Sequence, residues 1–241
     1  RQVMDSFWEQ LLQPQFFMLI AARFPRAGSP KRPKHWREAI ANGQYLLFRR
    51  EAYLKFGGHE AVKGEVVEDM RIAQLLVRGG WKLVVREGLG LRTRMYRSLG
   101  GLVEGWSKNF STGVLQTSPG FLRPVALPLS LVIGTALWLL PPGALAWSLA
   151  TGTGGLALQF GAIATGFGVV HWSLASWVMR GNPLFGFLYP LGSVVAAYIF
   201  ALSWIRGSRI QWKGRAYQMD EGIRRGEGRG DRESGRNGRR G

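Results

Sequence analysis

Two adjacent carboxylates, Glu68 and Asp69, have the residue types and the position to carry out acid–base chemistry. An apolar pair precedes them, and a helical apolar pattern follows until two glycines, Gly79 and Gly80, stop it. The carboxylates therefore fall at the N-terminus of a predicted helix, where backbone N–H groups and the helix dipole favour the ionised form. An ionised carboxylate at such a junction can act as a general base, and the same pattern is also typical of a simple helix cap.

The acidic pair stands within an ordered set of motifs between residues 42 and 109. The motifs read Gly-Gln-x-x-x-x-Arg-Arg-Glu-Ala-Tyr, Gly-Gly-His-Glu, Glu-Asp and Trp-Ser-Lys-Asn. This order resembles the second half of family 2 glycosyltransferases with the GT-A fold. The greatest similarity is to bacterial membrane-bound enzymes associated with carotenoids and hopanoids. The resemblance covers about residues 1–110, and the membrane part that follows is similar in layout.

The resemblance implies a fold and a reaction. The fold is α/β, the second half of a GT-A (nucleotide-diphospho-sugar transferase) fold followed by a transmembrane helical region. Asp69 is the implied catalytic base, with Glu68 beside it. It takes a proton from an acceptor hydroxyl, which attacks the anomeric carbon of a nucleotide-activated sugar while the diphosphate leaves. Inversion needs one base and no covalent intermediate.

The resemblance also implies where the substrates bind. Four residues are expected at the acceptor: Gln44, His59, Glu60 and Trp106. Arg97 and Lys108 are expected at the diphosphate, since fixed cations help most where charge develops on a leaving group. Purely structural alternatives stay open for these residues. His59 could simply be solvated, Trp106 could only pack its helix, and the two cations could only mark the cytoplasmic face of a membrane. Of the Gln-x-x-Arg-Trp motif of many relatives only the Trp is present, which favours transfer of a single sugar.

The nucleotide-binding half of the family, which supplies an Asp-x-Asp metal motif, has no counterpart here, because no Asp-x-Asp occurs in the sequence. A divalent metal, Mg or Mn, is expected in the full-length enzyme with ligands that are not in this chain. The chain is therefore expected to be the C-terminal part of a longer enzyme and to be inactive alone.

Local patterns predict the elements that position these residues. Strands are predicted at Gln44–Phe48, Trp81–Val85 and Leu91–Met95, and helices at Arg49–Phe56 and from Ser98 through Phe110. Residues 5–24 are apolar and interrupted by Pro14, which indicates either a pair of core helices or a helix lying in the headgroup layer. The second interpretation is favoured, because a lipid acceptor would enter from that side.

Composition divides the 241 residues into three regions: a mixed part at 1–122, an apolar part at 123–206 and a Gly- and Arg-rich tail at 207–241 that is expected to be disordered. The net charge of +17 indicates an anionic partner. A membrane surface is favoured over nucleic acid, because the basic residues adjoin apolar spans. The absence of cysteine excludes thiol chemistry, and the three histidines form no zinc pattern.

Three apolar segments, Val125–Ala150, Leu156–Met179 and Leu184–Ile205, follow the mixed region. Because three spans would send the basic tail outside, we expect the first segment, broken by Pro141 and Pro142, to turn back as a re-entrant hairpin. The expected location is the bacterial plasma membrane, with the catalytic part and the tail in the cytosol.

The leading hypothesis is thus an inverting glycosyltransferase that moves a sugar from a nucleotide-sugar donor to a lipid or other apolar acceptor at the membrane. One alternative is a polyprenyl-phosphate sugar transferase, which would share the base and need a cationic acceptor site. Another is an inactive or truncated membrane protein that keeps the scaffold without nucleotide binding.

Overall fold

The structure is a computed structural model that describes residues 2–24, 36–65, 67–86, 90–118, 120–206, 209–212 and 215–218. Most described residues are helical. The α-helices are α1 (Phe7–Arg23), α2 (Arg50–Lys55), α3 (Glu68–Arg78), α4 (Leu99–Thr117), α5 (Arg123–Thr151), α6 (Leu156–Val178) and α7 (Tyr189–Arg206). Short 3₁₀ helices lie at Trp36–Glu38, Gly58–Val62, Gly120–Leu122 and Pro183–Leu188. An antiparallel hairpin of β1 (Arg209–Trp212) and β2 (Arg215–Gln218) follows the last helix.

The predicted α/β fold is wrong. The three predicted strands are irregular segments in the structure, at 44–48, 81–85 and 91–95. Among described residues 2–206, β-type pairing is limited to a single parallel bridge between Gln2 and Thr93. The first of these segments is also not buried, because Tyr45 is 63% and Leu47 is 84% exposed. An apolar run becomes a strand only when a neighbouring strand accepts its backbone bonds, and the described part of the chain places no strand beside residues 44–48.

Helix α1 runs without a break through Pro14. Its start is fixed by a capping box in which Ser6 and Glu9 exchange side-chain-to-backbone hydrogen bonds. Leu12 and Phe16 are fully buried, and this packing offsets the hydrogen bond that the proline removes. The expected helix at the headgroup layer is therefore a core helix over much of its length.

The core of the molecule lies where α1, α4 and α7 meet. Its largest fully buried side chains come from all three helices: Phe16 of α1, Trp106 of α4 and Ile199 of α7. Burial of one such side chain stabilises the fold by about 1.5–3 kcal/mol. The mixed region and the apolar region thus share one core.

Helices α5 and α6 form an antiparallel pair joined by a turn at residues 152–155. Trp138 contacts Trp172 at 4.9 Å between ring centroids. Nearer the turn, Gly161 lies against the backbone of Leu145 so closely that an added Cβ would stand 2.6 Å from a main-chain nitrogen. The predicted break of α5 at Pro141 is wrong, because the helix continues through it, as packing against neighbouring helices permits in apolar surroundings.

Two helical stretches, Pro124–Thr151 and Pro183–Arg206, are long and apolar enough to cross a membrane by length and composition. The second stretch begins shortly after the end of α6. Its start lies beside α1, because the N–H of Asn182 donates to Gln10 Oε1 at 3.2 Å. Six residues after Pro183, Tyr189 lies near the middle of the α5–α6 pair, with its ring 6.1 Å from that of Trp138.

From Tyr189 the chain turns back along α5. The hydroxyl of Ser203 donates to the carbonyl of Ser107 at 2.7 Å, and Ser107 belongs to α4, the helix that leads into the start of α5. Because α5 and α6 are antiparallel, the start of α5 and the end of α6 lie at the same end of the pair. The stretch 183–206 therefore starts beside α1 and ends beside α4.

Candidate active site

The carboxyl group of Asp69 lies in the first turn of α3 and is held by two backbone N–H groups. Oδ2 accepts a hydrogen bond from Gly43 N at 2.6 Å, and Oδ1 accepts one from Met70 N at 2.7 Å. Val67, not Asp69, occupies the N-cap position. The Asp69 side chain is half-buried, whereas Glu68 is exposed. A carboxylate has about four acceptor sites, so Asp69 keeps capacity to accept a proton.

Burial raises the pKa of Asp69 above its ordinary value of 3.8, and repulsion from Glu68 adds to the rise. The two N–H bonds and the positive charge of Lys108 oppose it. The net direction is opposite to the one expected from a helix start alone, because the sequence does not reveal how much water folding removes from this carboxyl. A carboxylate with a raised pKa is a stronger base once it is ionised.

Gly43 makes the short bond to Asp69 possible. A Cβ added there would lie 3.1 Å from Asp69 Oδ2 and 3.3 Å from Asp69 Cβ, so a larger residue would displace the carboxyl. The next residue, Gln44, is exposed, and its Nε2 donates to Gln2 Oε1 at 3.3 Å. Gln44 thus lies one residue from the contact with the candidate base.

Helix α3 is seated by a small core and an ion pair. Ile72 is 1% exposed and packs with Ala52 and Val62. Near the start of the helix, Arg71 pairs with Glu65 at 3.4 Å, and both side chains are largely shielded from water. These contacts fix the turn that carries Asp69 relative to α2 and the following 3₁₀ helix.

His59 and Glu60 lie together on the exposed 3₁₀ helix at Gly58–Val62, and each has a partner of its own. His59 Nδ1 is 2.8 Å from the hydroxyl of Tyr53, which also accepts the His59 N–H at 3.2 Å. Glu60 pairs with Lys63 at 3.1 Å on the surface. No hydrogen bond or ion pair among the described contacts joins either residue to Asp69, so their role at the acceptor stays a prediction.

Trp106 is in the core rather than at a surface. It is 2% exposed, and its ring lies 4.7 Å from Phe16 and 5.5 Å from Phe110 between centroids. Phe17 covers it further at 5.8 Å. Of the two interpretations of this residue, the geometry matches packing of α4, because the ring is buried among three aromatic side chains.

The two candidate diphosphate cations are separated along α4. Lys108 is half-buried, and its charge acts on Asp69. Arg97 is exposed and directly precedes Ser98, the N-cap of the helix. Of these two cations, Lys108 is the one whose charge lowers the pKa of Asp69.

Some site contacts were missed at the sequence level. The Asn-Gly pair at 42–43 is a turn signal, which could have pointed to Gly43 as a backbone donor. The hydrogen bonds from Arg206 and Ser203 to Ser107 have no local signal, because the partners lie about a hundred residues apart in the chain.

The described residues contain no group of three or more His, Cys, Asp or Glu side chains that could hold a metal ion. They therefore do not fit a divalent-metal site by themselves. The expectation that metal ligands lie outside this chain stays a prediction.

The chain matches the family described as Glycosyl transferase family 21 over residues 34–225. It is 26% identical over 189 residues to the 4,4'-diaponeurosporenoate glycosyltransferase of Staphylococcus aureus strain MRSA252, which covers 75% of this chain and 48% of that protein. The protein of the same name from strain USA300 is 26% identical over 186 residues, with the same coverage. The chain spans about half the length of these curated relatives. No solved structure matches it significantly.

These similarities confirm the glycosyltransferase class that the motifs indicated, and they do not support family 2 or the GT-A fold specifically. The matched region contains α2, α3, α4 and the three apolar helices, so it includes Asp69 and the contacts that hold it. The chain belongs to glycosyl transferase family 21.

Proposed function

We propose that the protein is an inverting glycosyltransferase that moves a sugar from a nucleotide-sugar donor to a lipid or other apolar acceptor at the membrane. The observation that carries the proposal is the Asp69 carboxyl. Two backbone N–H groups hold this carboxyl in place. Burial raises its pKa, and the positive charge of Lys108 opposes the rise. The family match and the relatives named as diaponeurosporenoate glycosyltransferases support the class of reaction.

In the proposed reaction Asp69 accepts the proton of the acceptor hydroxyl. The acceptor oxygen bonds to the anomeric carbon as the bond from that carbon to the nucleotide diphosphate breaks. The electron pair of the broken bond leaves with the diphosphate, and the sugar is inverted in one displacement. Lys108 lies near enough to act on charge at Asp69, so it is the cation of this chain that we assign to the developing diphosphate charge. No step is assigned to a metal.

An apolar acceptor is supported by side chains next to the candidate base. Tyr45 and Leu47 follow the turn at Gly43 and are 63% and 84% exposed. Leu47 is four residues from Gly43, so it lies within about 14 Å of the residue that bonds Asp69. Large exposed apolar side chains favour contact with an apolar ligand or membrane.

For the membrane part we propose that α5 and α6 cross the bilayer and that 183–206 is a re-entrant segment. α6 carries no charged residue, and both ends of 183–206 contact α1 or α4. Arg206 then lies on the same side as residues 2–118. A nucleotide-sugar donor requires that side to be cytosolic, and the basic residues agree with this orientation. The protein would lie in the bacterial plasma membrane.

The test is Asp69→Asn in the protein expressed from its natural gene, with Glu68→Gln as the matched control. Membranes are supplied with a panel of radiolabelled nucleotide sugars and with apolar alcohols and acids, and products are separated by thin-layer chromatography. Loss of a general base lowers the rate by about 10²–10⁴-fold, while Glu68→Gln should retain most activity. Near-normal transfer by Asp69→Asn would exclude the assigned role. A product linked through phosphate would favour the polyprenyl-phosphate alternative.

A further inference from the structure

The turn that contacts Asp69 is built by one residue, Asn42. The backbone carbonyl of Asn42 accepts the N–H of Tyr45 at 3.3 Å, and its side-chain Oδ1 accepts the N–H of Gln44 at 3.1 Å. Asparagine is favoured at the first position of such turns, because its side chain reaches the backbone N–H two residues ahead. Asn42 therefore holds both of the N–H groups that follow Gly43 in the turn.

The remaining N–H group of the turn belongs to Gly43, and it is the one that reaches the candidate base. It donates to Asp69 Oδ2 at 2.6 Å, while Oδ1 accepts the N–H of Met70 in the first turn of α3 at 2.7 Å. The three consecutive N–H groups of residues 43–45 are thus divided between Asn42, which accepts two, and Asp69, which accepts one. Because two hydrogen bonds inside the turn fix its shape, Asn42 sets the direction of the Gly43 N–H.

A further contact ties the turn to the start of the described chain. Gln44 Nε2 donates to Gln2 Oε1 at 3.3 Å. Gln2 forms the parallel bridge with Thr93, and the N–H of the next residue, Val3, donates to the Thr93 carbonyl at 2.8 Å. Residues 42–45 are all exposed, so hydrogen bonds contribute more than apolar burial to the position of the turn.

We propose that Asn42 is a positioning residue for Asp69, because it forms the turn that directs the Gly43 N–H at one oxygen of the carboxylate. The importance of this contact for catalysis rests on the proposed function. The geometric relation between Asn42, Gly43 and Asp69 does not, and it can be tested without a sugar donor or an acceptor.

Loss of the Asn42 side chain should weaken the hydrogen bond at Asp69. The N–H of Gln44 would lose its acceptor within the turn, and the turn would no longer hold one shape. A carboxylate that loses a hydrogen-bond donor is less stable in its ionised form, so its pKa rises. The bond from Gly43 lowers the pKa of Asp69 against the effect of burial, and Asn42→Ala should therefore raise that pKa further.

The charged groups that act on Asp69 are left intact by this substitution. Glu68 raises the pKa of Asp69, and Lys108 lowers it. The further titratable side chains of α3 and of the short helices packed against it do not contribute to the shift at Asp69: Arg37, Glu38, His59, Glu60, Arg71 and Arg78. Asn42 carries no charge, so a shift on its removal reports a change in hydrogen bonding.

The test follows the protonation of Asp69 with a hydrophobic carbodiimide, which adds to a protonated carboxyl and not to a carboxylate. The protein is expressed in membranes from its natural gene, labelled from acidic to neutral pH and digested. Tandem mass spectrometry separates labelling of Asp69 from that of Glu68. The midpoint of the pH profile gives the pKa of Asp69. We expect Asn42→Ala to raise this midpoint by about half a unit, which corresponds to about threefold faster labelling at neutral pH.

The midpoint is the readout because access and pKa affect the profile differently. A turn that merely opened would speed labelling by the same factor at every pH and leave the midpoint in place. A positioning role for Asn42 requires that the midpoint itself moves.

Two further substitutions identify the route of the effect. Gly43→Pro removes the N–H at a turn position that tolerates proline, and it should raise the midpoint by at least as much as Asn42→Ala. In the Gly43→Pro background, Asn42→Ala should add no further shift, because the turn has no N–H left to direct at Asp69. Asn42→Ser, whose hydroxyl forms the same kind of turn more weakly, should recover part of the shift.

Asn182→Ala is the matched control. Asn182 builds a turn of the same kind beside α1, in which its Oδ1 accepts the N–H of Leu184 at 3.0 Å and its carbonyl accepts that of Phe185 at 3.2 Å. Loss of the Asn182 side chain should leave the midpoint for Asp69 unchanged.

The proposal is overturned if Asn42→Ala leaves the midpoint in place, or if Asn42→Ser or Asn182→Ala moves it as far as Asn42→Ala does. It is also overturned if Asn42→Ala adds its full shift in the Gly43→Pro background, because the effect would then bypass the Gly43 N–H. A transfer assay in which Asp69→Asn stays active would refute the proposed function alone, since carbodiimide labelling does not depend on transfer.

Discussion

The strongest stability prediction concerns Glu9, a carboxylate that is fully buried beside Arg94. Arg94 Nε donates to Glu9 Oε1 at 2.9 Å and Nη2 donates to Oε2 at 2.8 Å, while the Ser6 N–H donates to the same Oε2 at 2.8 Å. Burial alone would raise the pKa of Glu9, and the bonds from Arg94 and Ser6 outweigh it, so the pKa falls from 4.5 to about 2. The change Arg94→Met would leave this carboxylate buried without its cation.

The size of the effect follows from the pKa and the exposure of the pair. A fall from 4.5 to about 2 corresponds to ~3 kcal/mol at 1.36 kcal/mol per unit. Arg94 is 29% exposed, and screening by water reduces the contribution of the pair to ~1–2 kcal/mol. Removing one partner also leaves an unpaired charge, which costs about 3–5 kcal/mol when that charge is completely buried. We therefore expect Arg94→Met to lower the free energy of unfolding by about 2–4 kcal/mol near neutral pH.

The loss should depend on pH in a defined direction. The folded pKa of Glu9 is below the unfolded value, so its ionised form stabilises the fold above pH 4.5, and this contribution disappears as pH falls toward about 2. The difference between the original protein and Arg94→Met should therefore shrink as pH falls through that window.

Thermal unfolding of detergent-solubilised protein, followed by tryptophan fluorescence, measures this difference. At about 2–4 °C per kcal/mol for a chain of this size, Arg94→Met should lower the Tm by about 4–16 °C near neutral pH. Arg92→Met, at an exposed arginine two residues earlier, is the control, and Glu9→Gln added to Arg94→Met should recover part of the loss. An equal loss at acidic and neutral pH, or a loss no larger than that of Arg92→Met, would refute the reasoning.

Two further predictions concern the site and the membrane part. Gly43→Ala should lower the rate of sugar transfer by about tenfold or more with little change in Tm, because a Cβ there would stand 3.1 Å from Asp69 Oδ2 and a small misplacement of a reacting group can cost about 10²-fold. Gly64→Ala is the control, because an added Cβ there meets nothing within 4 Å. Equal transfer rates for the two variants would contradict the role of Gly43. The second prediction concerns the membrane topology. Gly154→Cys should react in intact cells with a membrane-impermeant maleimide, whereas Gly100→Cys and Ile205→Cys should react only after lysis. Labelling of Ile205→Cys in intact cells would exclude the re-entrant segment.

Helix ends near the candidate base could be predicted from local signals. The glycine pair at 57–58 follows the last residues of α2, the pair at 79–80 follows α3, and Ser98 caps α4 by accepting the Gly101 N–H at 3.1 Å. Such signals act within one turn of backbone, so the sequence contains all of the interacting groups. The position of Asp69 in the first turn of α3 follows from the same rules.

Features that depend on distant partners could not be predicted in this way. The run at Gln44–Phe48 has strand-like composition, and only the rest of the fold decides whether a strand pairs with it; none does among the residues that the structure describes. Pro14 and Pro141 both suggest helix ends locally, yet tertiary packing keeps α1 and α5 continuous. The raised pKa of Asp69 likewise comes first from burial, which depends on how α3, α4 and the turn at Gly43 come together.

Helix α4 explains why the membrane part and the candidate site cannot be treated as separate modules. One side of it carries Trp106 and Phe110, which continue an aromatic row from Phe16 of α1 to Phe200 of α7. Its other side carries Lys108, whose charge acts on Asp69. A close-packed aromatic row transmits displacement rather than absorbing it, so a change in the position of α7 would be transmitted to α4 through Phe110 and Phe200.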